Sequence, residues 1–167
     1  MTSVISECLK ELNPSFSLKP KQLECLNHII EGRDVLVNLP VGYGKSLIYQ
    51  MLPSIMERMG RSRTVVLVIS PLNIIQEDQL KKLQDHGKLS YILPFCDGNS
   101  EVDLTGIIDG KYSIIFSHPE TILNTDFGKV LLQEQSFIER LAAVFIDECH
   151  VVEQWYVLHL LQLKLIS

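Results

Sequence analysis

The sequence predicts an α/β fold in which a mostly parallel sheet is flanked by helices. Two observations carry that prediction. Short runs that are apolar throughout, such as Thr64–Ile69 and Ala142–Ile146, alternate along the chain with segments of helical periodicity. A stretch with two glycines, Leu39-Pro40-Val41-Gly42-Tyr43-Gly44-Lys45-Ser46, falls where one apolar run ends and a helical pattern begins. Strands apolar on both faces belong inside a parallel sheet. Binding loops in such sheets gather at the carboxyl ends of the strands.

Taken in order, residues 1–13 read as a short helix or a loose arm. Pro14 and Pro20 bracket a loop, and Pro20 suits the first turn of a helix running from Lys21 to Glu31. That helix sets Leu23, Leu26, Ile29 and Ile30 on one face and stops at Gly32. Asp34–Asn38 is the expected lead-in strand. A helix follows from Lys45 to Met59, with Leu47, Ile48, Met51 and Leu52 inward and Pro53 as a point of kinking. Thr64–Ile69 is a strand buried on both faces, and Leu72–His86 a helix stopped by Gly87. Ser90–Phe95 is a strand, Cys96–Asn99 a turn, and Glu101–Asp109 a helix. Ser113–Ser117 is a strand, His118-Pro119-Glu120 opens a short helix, and Phe127–Arg140 is one continuous helix. Ala142–Ile146 is a final buried strand ending at Asp147.

The bulk numbers bound the class. With 167 residues the chain is large enough to bury a core as one domain. A net charge of −5 argues against a broad basic face, so any contact with nucleic acid is local. Cys8, Cys25, Cys96 and Cys149 form no Cys-x-x-Cys pair, which points away from a zinc site or a disulfide framework and toward a reducing compartment. No apolar stretch reaches transmembrane length, so no membrane partner is expected; Val157–Ile166 is short and contains His159, Gln162 and Lys164.

The chemistry is concentrated in two motifs. At the start of a helix, exposed backbone N–H groups form an anion site, and a glycine loop lets a phosphate chain approach them. In that setting Lys45 reaches the β- and γ-phosphates and Ser46 offers its hydroxyl to Mg²⁺. About a hundred residues downstream, Asp147-Glu148-Cys149-His150 follows an apolar strand. An aspartate there holds Mg²⁺ opposite Ser46, and Glu148 polarises the water that attacks the γ-phosphate. The strict phosphate-loop pattern has glycine at position 39, where this chain has Leu39.

These two motifs resemble motifs I and II of superfamily 2 helicases, and in particular the RecQ family of DNA helicases. That family carries Met-Pro-Thr-Gly-Gly-Gly-Lys-Ser, which accounts for Leu39; Val41 and Tyr43 are departures from it. Leu18-Lys19-Pro20-Lys21-Gln22 resembles the family's adenine-reading motif, with Lys19 in place of arginine. Ser70-Pro71-Leu72, continuing to Asp78-Gln79, looks like motif Ia, Ser117-His118-Pro119-Glu120 like motif Ib, and Glu153-Gln154-Trp155 like the start of the aromatic-rich loop.

The resemblance implies a RecA-like phosphate-loop NTPase lobe over residues 16–155, preceded by an arm at 1–15 and followed by a non-matching tail at 156–167. It implies ATP and Mg²⁺ as cofactors. Lys19, Gln22, Pro40, Val41, Gly42, Tyr43, Gly44, Lys45, Ser46 and Leu47 would hold the nucleotide, with Gln22 at the adenine edge. Ser46 and Asp147 would hold the metal, and Lys45, Asp147, Glu148 and His150 would act in catalysis. Ser70, Pro71, Leu72, Ser117, His118, Pro119, Glu120 and Trp155 would contact single-stranded or partially duplex DNA, mostly through its backbone. The implied activity is ATP-dependent 3′→5′ unwinding, in the nucleus or otherwise the cytoplasm.

After Trp155 the family's Gly-x-Asp-Phe-Arg gives way to Tyr156-Val157-Leu158-His159, so the tail reads as foreign sequence and the lobe as incomplete. A lone lobe is expected to bind nucleotide but to hydrolyse it poorly, because closure of two lobes supplies part of the electrostatic stabilisation. The alternatives are a truncated nucleotide- or DNA-binding module without helicase turnover and an unrelated phosphate-loop ATPase.

Overall fold

The computed structural model describes residues 2–12, 17–71, 76–77, 79–81, 83, 89–94 and 102–147. Within these, four strands form one sheet: β1 (Val65–Ile69), β2 (Ser90–Ile92), β3 (Ile114–Ser117) and β4 (Leu141–Ile146). Their order is β2-β3-β1-β4 and every pairing is parallel, as expected for apolar strands separated by helices.

The period-two alternation of β1 divides the core. Val66 and Val68, with Ile114 and Phe116 of β3, face α1 (Thr2–Leu12), α2 (Pro20–Ile30) and α3 (Lys45–Arg58). Val65, Leu67 and Ile69 face the other side. There they meet α4 (Leu104–Ile108), α5 (Pro119–Asn124), α6 (Asp126–Gln133) and α7 (Gln135–Arg140) through Ile107, Ile122, Leu131 and Phe137. Residues 2–12 take the helical alternative: α1 buries Ile5, Cys8 and Leu9, and Arg58 of α3 pairs with Glu7 and Glu11 on its outer face.

Four expectations about the elements are corrected. Asp34–Asn38 is not a strand: residues 33–40 belong to no helix or ladder, Leu36 is 88% exposed, and only Val35 and Val37 pack on the core. An extended segment becomes a strand by pairing, and no described strand lies beside this one. Phe127–Arg140 is two helices, because Glu134 takes extended angles (φ −72, ψ 113) and its carboxylate accepts from the Ser136 N–H to start α7. That restart delivers Phe137 fully buried. Glu101–Asp109 begins only at Leu104, because Asp103 caps the helix by accepting from the Gly106 N–H at 3.0 Å. Finally, β4 is half-buried along its whole length rather than buried.

Candidate functional site

Three loops leave the carboxyl edge of the sheet side by side, held by two extensions of the ladder. The Ser70 N–H donates to the Ser117 carbonyl at 3.0 Å, and the Asp147 N–H donates to the Ile69 carbonyl at 2.9 Å. The strand pairing therefore sets where Ser70, Ser117 and Asp147 stand, before any of their side chains acts.

The phosphate loop is the mouth of α3. Pro40, Val41 and Gly42 are exposed, and the Tyr43 N–H donates to the Pro40 carbonyl at 3.2 Å to close a turn. Gly42 (φ +77) and Gly44 (φ +89) both take left-handed angles that a side chain resists. At Gly44 a Cβ would also lie 2.7 Å from the Gln22 amide nitrogen. Lys45 reaches back over the loop, its ammonium donating to the Leu39 carbonyl at 3.2 Å. Leu47 is half-buried, and its N–H donates to the Gly44 carbonyl at 3.1 Å.

Gln22 ties this loop to α2. Its side-chain NH₂ donates to the carbonyls of Tyr43 (3.1 Å) and Gly44 (2.9 Å), and its Oε1 accepts from the Lys19 N–H at 2.8 Å. With 2% exposure it is a structural brace of the loop as well as a candidate base reader. Lys19 and Tyr43, two departures from the RecQ pattern, meet each other: the Lys19 ammonium lies 4.5 Å from the centroid of the Tyr43 ring.

Tyr49 is a site neighbour that the motif reading missed. One turn along α3 from Ser46, its buried ring stands edge-on to Phe145, two residues before Asp147 on β4, and its hydroxyl lies within the field of the Asp147 carboxylate. Burial first, and that carboxylate second, hold its phenol well above the usual range, so it remains a neutral hydroxyl. The spacing of three residues on a helix was the available signal.

The arrangement fits Mg-nucleotide. The open glycine loop leaves room for phosphate at the mouth of α3, and Tyr49, one turn after Ser46, packs on the strand that ends at Asp147. Among the described residues no group of three or more His, Cys, Asp or Glu side chains forms a metal cage. A metal held by Ser46 and Asp147 would thus take its remaining ligands from phosphate and water, the habit of Mg²⁺.

The segments expected at DNA are more enclosed. Ser70, Ser117, His118 and Pro119 are buried; Pro71 is half-buried and Glu120 exposed. The Ser117 hydroxyl donates to the His118 carbonyl at 2.8 Å, and burial lowers the pKa of His118. Gln76 donates to the Ser70 carbonyl at 2.7 Å, fixing the loop after β1 from the helical residues beyond it. Gln50 of α3 donates to Gln79 of the same helical stretch at 2.7 Å. Leu72, Glu148, His150 and Trp155 lie outside the described residues.

A family model described as DEAD/DEAH box helicase matches residues 19–166. Among curated proteins, the chain is similar to the ATP-dependent helicase SGS1 of Saccharomyces cerevisiae, 31% identical over 155 residues. It is 34% identical over 154 residues to the ATP-dependent DNA helicase hus2/rqh1 of Schizosaccharomyces pombe. It is 33% identical over 153 residues to the bifunctional 3′-5′ exonuclease/ATP-dependent helicase WRN of Mus musculus. Each match covers 89% of this chain but only 10 to 11% of the relative, so the chain spans about a tenth of their length.

Proposed function

This chain belongs to the DEAD/DEAH box helicase family, and from that premise we propose that it is a RecQ-like ATP-binding lobe serving 3′→5′ unwinding of DNA. The observation that supports this best is the packing of Tyr49, one turn after Ser46 on α3, against Phe145, two residues before Asp147 on β4, with Asp147 held at the strand end by the Ile69 carbonyl. Lys45 exchanges the Leu39 carbonyl for phosphate oxygens. Ser46 and Asp147 hold Mg²⁺, which when bound neutralises phosphate charge. Glu148 orients the attacking water, and His150 links the γ-phosphate to the rest of the motor. Gln22 and Lys19 stand on the side of the loop that would meet the adenine, with Gln22 trading a loop carbonyl for the base edge.

In this reading DNA is the partner and the nucleus of the cell its place of work. The segments at Ser70–Leu72 and Ser117–Glu120 touch the DNA backbone, chiefly with their main chain, since the side chains of Ser70, Ser117, His118 and Pro119 are inside the fold. Trp155 is the aromatic contact to DNA in this reading.

The test is a titration of a fluorescent ATP analogue with Mg²⁺, comparing the chain with Lys45→Ala. Removing a charge-assisted contact to phosphate weakens binding by about tenfold or more. Equal affinity in the two proteins overturns the nucleotide site. Stimulation of hydrolysis by single-stranded DNA supports the helicase reading; binding without any such stimulation leaves a nucleotide-holding module.

A further inference from the structure

We propose that Lys19 and Tyr43 form a clasp that sets the phosphate loop in its binding shape before nucleotide arrives, so that Lys19 serves the nucleotide through the loop and is not one of its ligands. The inference rests on the reading of residues 39–46 as the nucleotide loop. It goes beyond that reading by giving a positioning role to two residues in which this chain departs from the RecQ pattern.

The clasp closes a circuit between α2 and the loop. In the interior, the Gln22 side chain accepts from the Lys19 N–H at 2.8 Å and donates to the carbonyls of Tyr43 and Gly44 at 3.1 and 2.9 Å. At the surface, the Lys19 ammonium lies 4.5 Å from the centroid of the half-buried Tyr43 ring. Lys19 therefore reaches the same loop residue by two routes, one through its backbone and one through its side chain. Lys21 behaves differently. Its ammonium is taken by Glu24 at 2.8 Å, whereas among the described residues Lys19 has no carboxylate partner.

The loop needs that second attachment. Tyr43 stands between Gly42 (φ +77) and Gly44 (φ +89), and glycine leaves the backbone on both sides free to turn. The carbonyls of residues 43 and 44 are both tied to one nitrogen, which acts as a pivot. It fixes how far the loop stands from α2 and leaves its tilt open. An ammonium held to the ring by the ring's quadrupole restrains the tilt from the far end of the side chain. Order present before binding does not have to be created by it, and apparent affinity rises with the fraction of molecules already in the competent shape.

A ligand and a clasp differ in kinetics. A group that touches the nucleotide holds it in place, so its loss speeds dissociation. A group that only shapes the empty loop sets how many molecules are ready to bind, so its loss slows association.

The experiment measures both rates by stopped flow for a fluorescent ADP with Mg²⁺. It compares the unaltered chain with Tyr43→Leu, Tyr43→Phe, Lys19→Met and the double variant of Lys19→Met with Tyr43→Leu. Tyr43→Leu, which changes no charge, should slow association about two- to fivefold, the strength of an exposed cation–ring contact, with dissociation unchanged. Tyr43→Phe keeps the ring and should recover most of that rate. Lys19→Met should slow association more in the unaltered chain than in Tyr43→Leu, by the same factor; what remains is the steering effect of one charge. Faster dissociation in Lys19→Met or Tyr43→Leu overturns the proposal by making that residue a ligand. So does an unchanged association rate in Tyr43→Leu, a Tyr43→Phe as slow as Tyr43→Leu, or equal slowing by Lys19→Met in both backgrounds. Lys45→Ala, run beside them, judges the nucleotide site separately. If it binds ADP as the unaltered chain does, or if neither binds, the site itself fails and the inference with it.

Discussion

β1 and β4 are neighbours of nearly the same composition, Val-Val-Leu-Val-Ile against Leu-Ala-Ala-Val-Phe-Ile, paired from Val66↔Ala143 to Ile69↔Ile146. Yet every residue of β1 is buried and every residue of β4 is only half-buried. The difference is in what stands on each side. β1 lies between β3 and β4, whereas among the described residues β4 has β1 alone. Burial in a sheet is thus a property of position, and an apolar run states only that a strand tolerates burial on both faces. The same reasoning explains the segment at 33–40, whose Val35 and Val37 pack on the core that Ala142, Ala143 and Phe145 also line, without a ladder to join.

The largest test of that contrast is truncation. Leu67→Ala, at 1% exposure, should cost about 2–5 kcal/mol by the usual cost of opening a core cavity, read from the denaturant midpoint. Val144→Ala on half-buried β4 should cost about 1 kcal/mol. Equal losses would break the comparison and mean that β4 is covered in solution. Hydrogen exchange sharpens it. The Asp147 N–H points to β1, so by strand alternation those of Phe145 and Ala143 do also, while those of Val144 and Ile146 point to the other edge. The second pair should exchange about tenfold faster or more; slow exchange at both would locate a further partner on that edge.

A smaller effect is expected where the strands end. β1 runs into Ser70, whose buried hydroxyl has no hydrogen-bond partner among the described residues, so Ser70→Ala should leave stability unchanged or raise it by up to about 1 kcal/mol. β4 runs into half-buried Asp147, where Asp147→Asn should leave the midpoint within about 0.5 kcal/mol while removing the gain in nucleotide affinity from Mg²⁺.

The smallest effect is on the helices that cover β1. Asp103, the cap of α4, accepts from Lys111 at 2.8 Å, from the Tyr112 hydroxyl at 2.7 Å and from Gly106, which together lower its pKa to about 2. Its folded pKa lies below the unfolded value of 3.8. The stabilisation is therefore complete above about pH 4 and fades as pH falls toward 2. Asp103→Asn should lower stability in the neutral region and flatten that acid limb, so that the two profiles meet near pH 2; an unchanged limb would rule the cap out as its source.

Much of this was legible in the sequence because it is local. The glycine loop, the strand before Asp147, the proline that opens α2 and the parallel sheet all follow from spacing and periodicity along the chain. What was not legible depends on distant partners. Nothing near Phe127–Arg140 announces the break at Glu134, since apolar periodicity runs across it and only the fit of Phe137 into the core decides. Residues Ser117-His118-Pro119 look equally like a surface loop and a strand cap, and the structure puts their side chains inside. The brace from Gln22 to the loop spans 21 and 22 residues, and the wedge of Tyr49 between Phe116 and Phe145 spans three separate elements. Motifs report the chemistry a loop offers; they are silent on what holds the loop.

The brace of Gln22 has a consequence for how base selectivity can evolve. Both of its amide protons already serve the carbonyls of Tyr43 and Gly44. Under the proposed base-reading role, a purine arriving at that amide would compete for protons the loop is using, and discrimination between adenine and another base would be the difference between two bonded states. Stiffening the loop and sharpening base choice then draw on the same atoms and cannot be improved independently. A lineage that relaxed one would see the other drift, and a residue such as Tyr43, gripped by Lys19, is where such a lineage could restore stiffness without asking more of the glutamine.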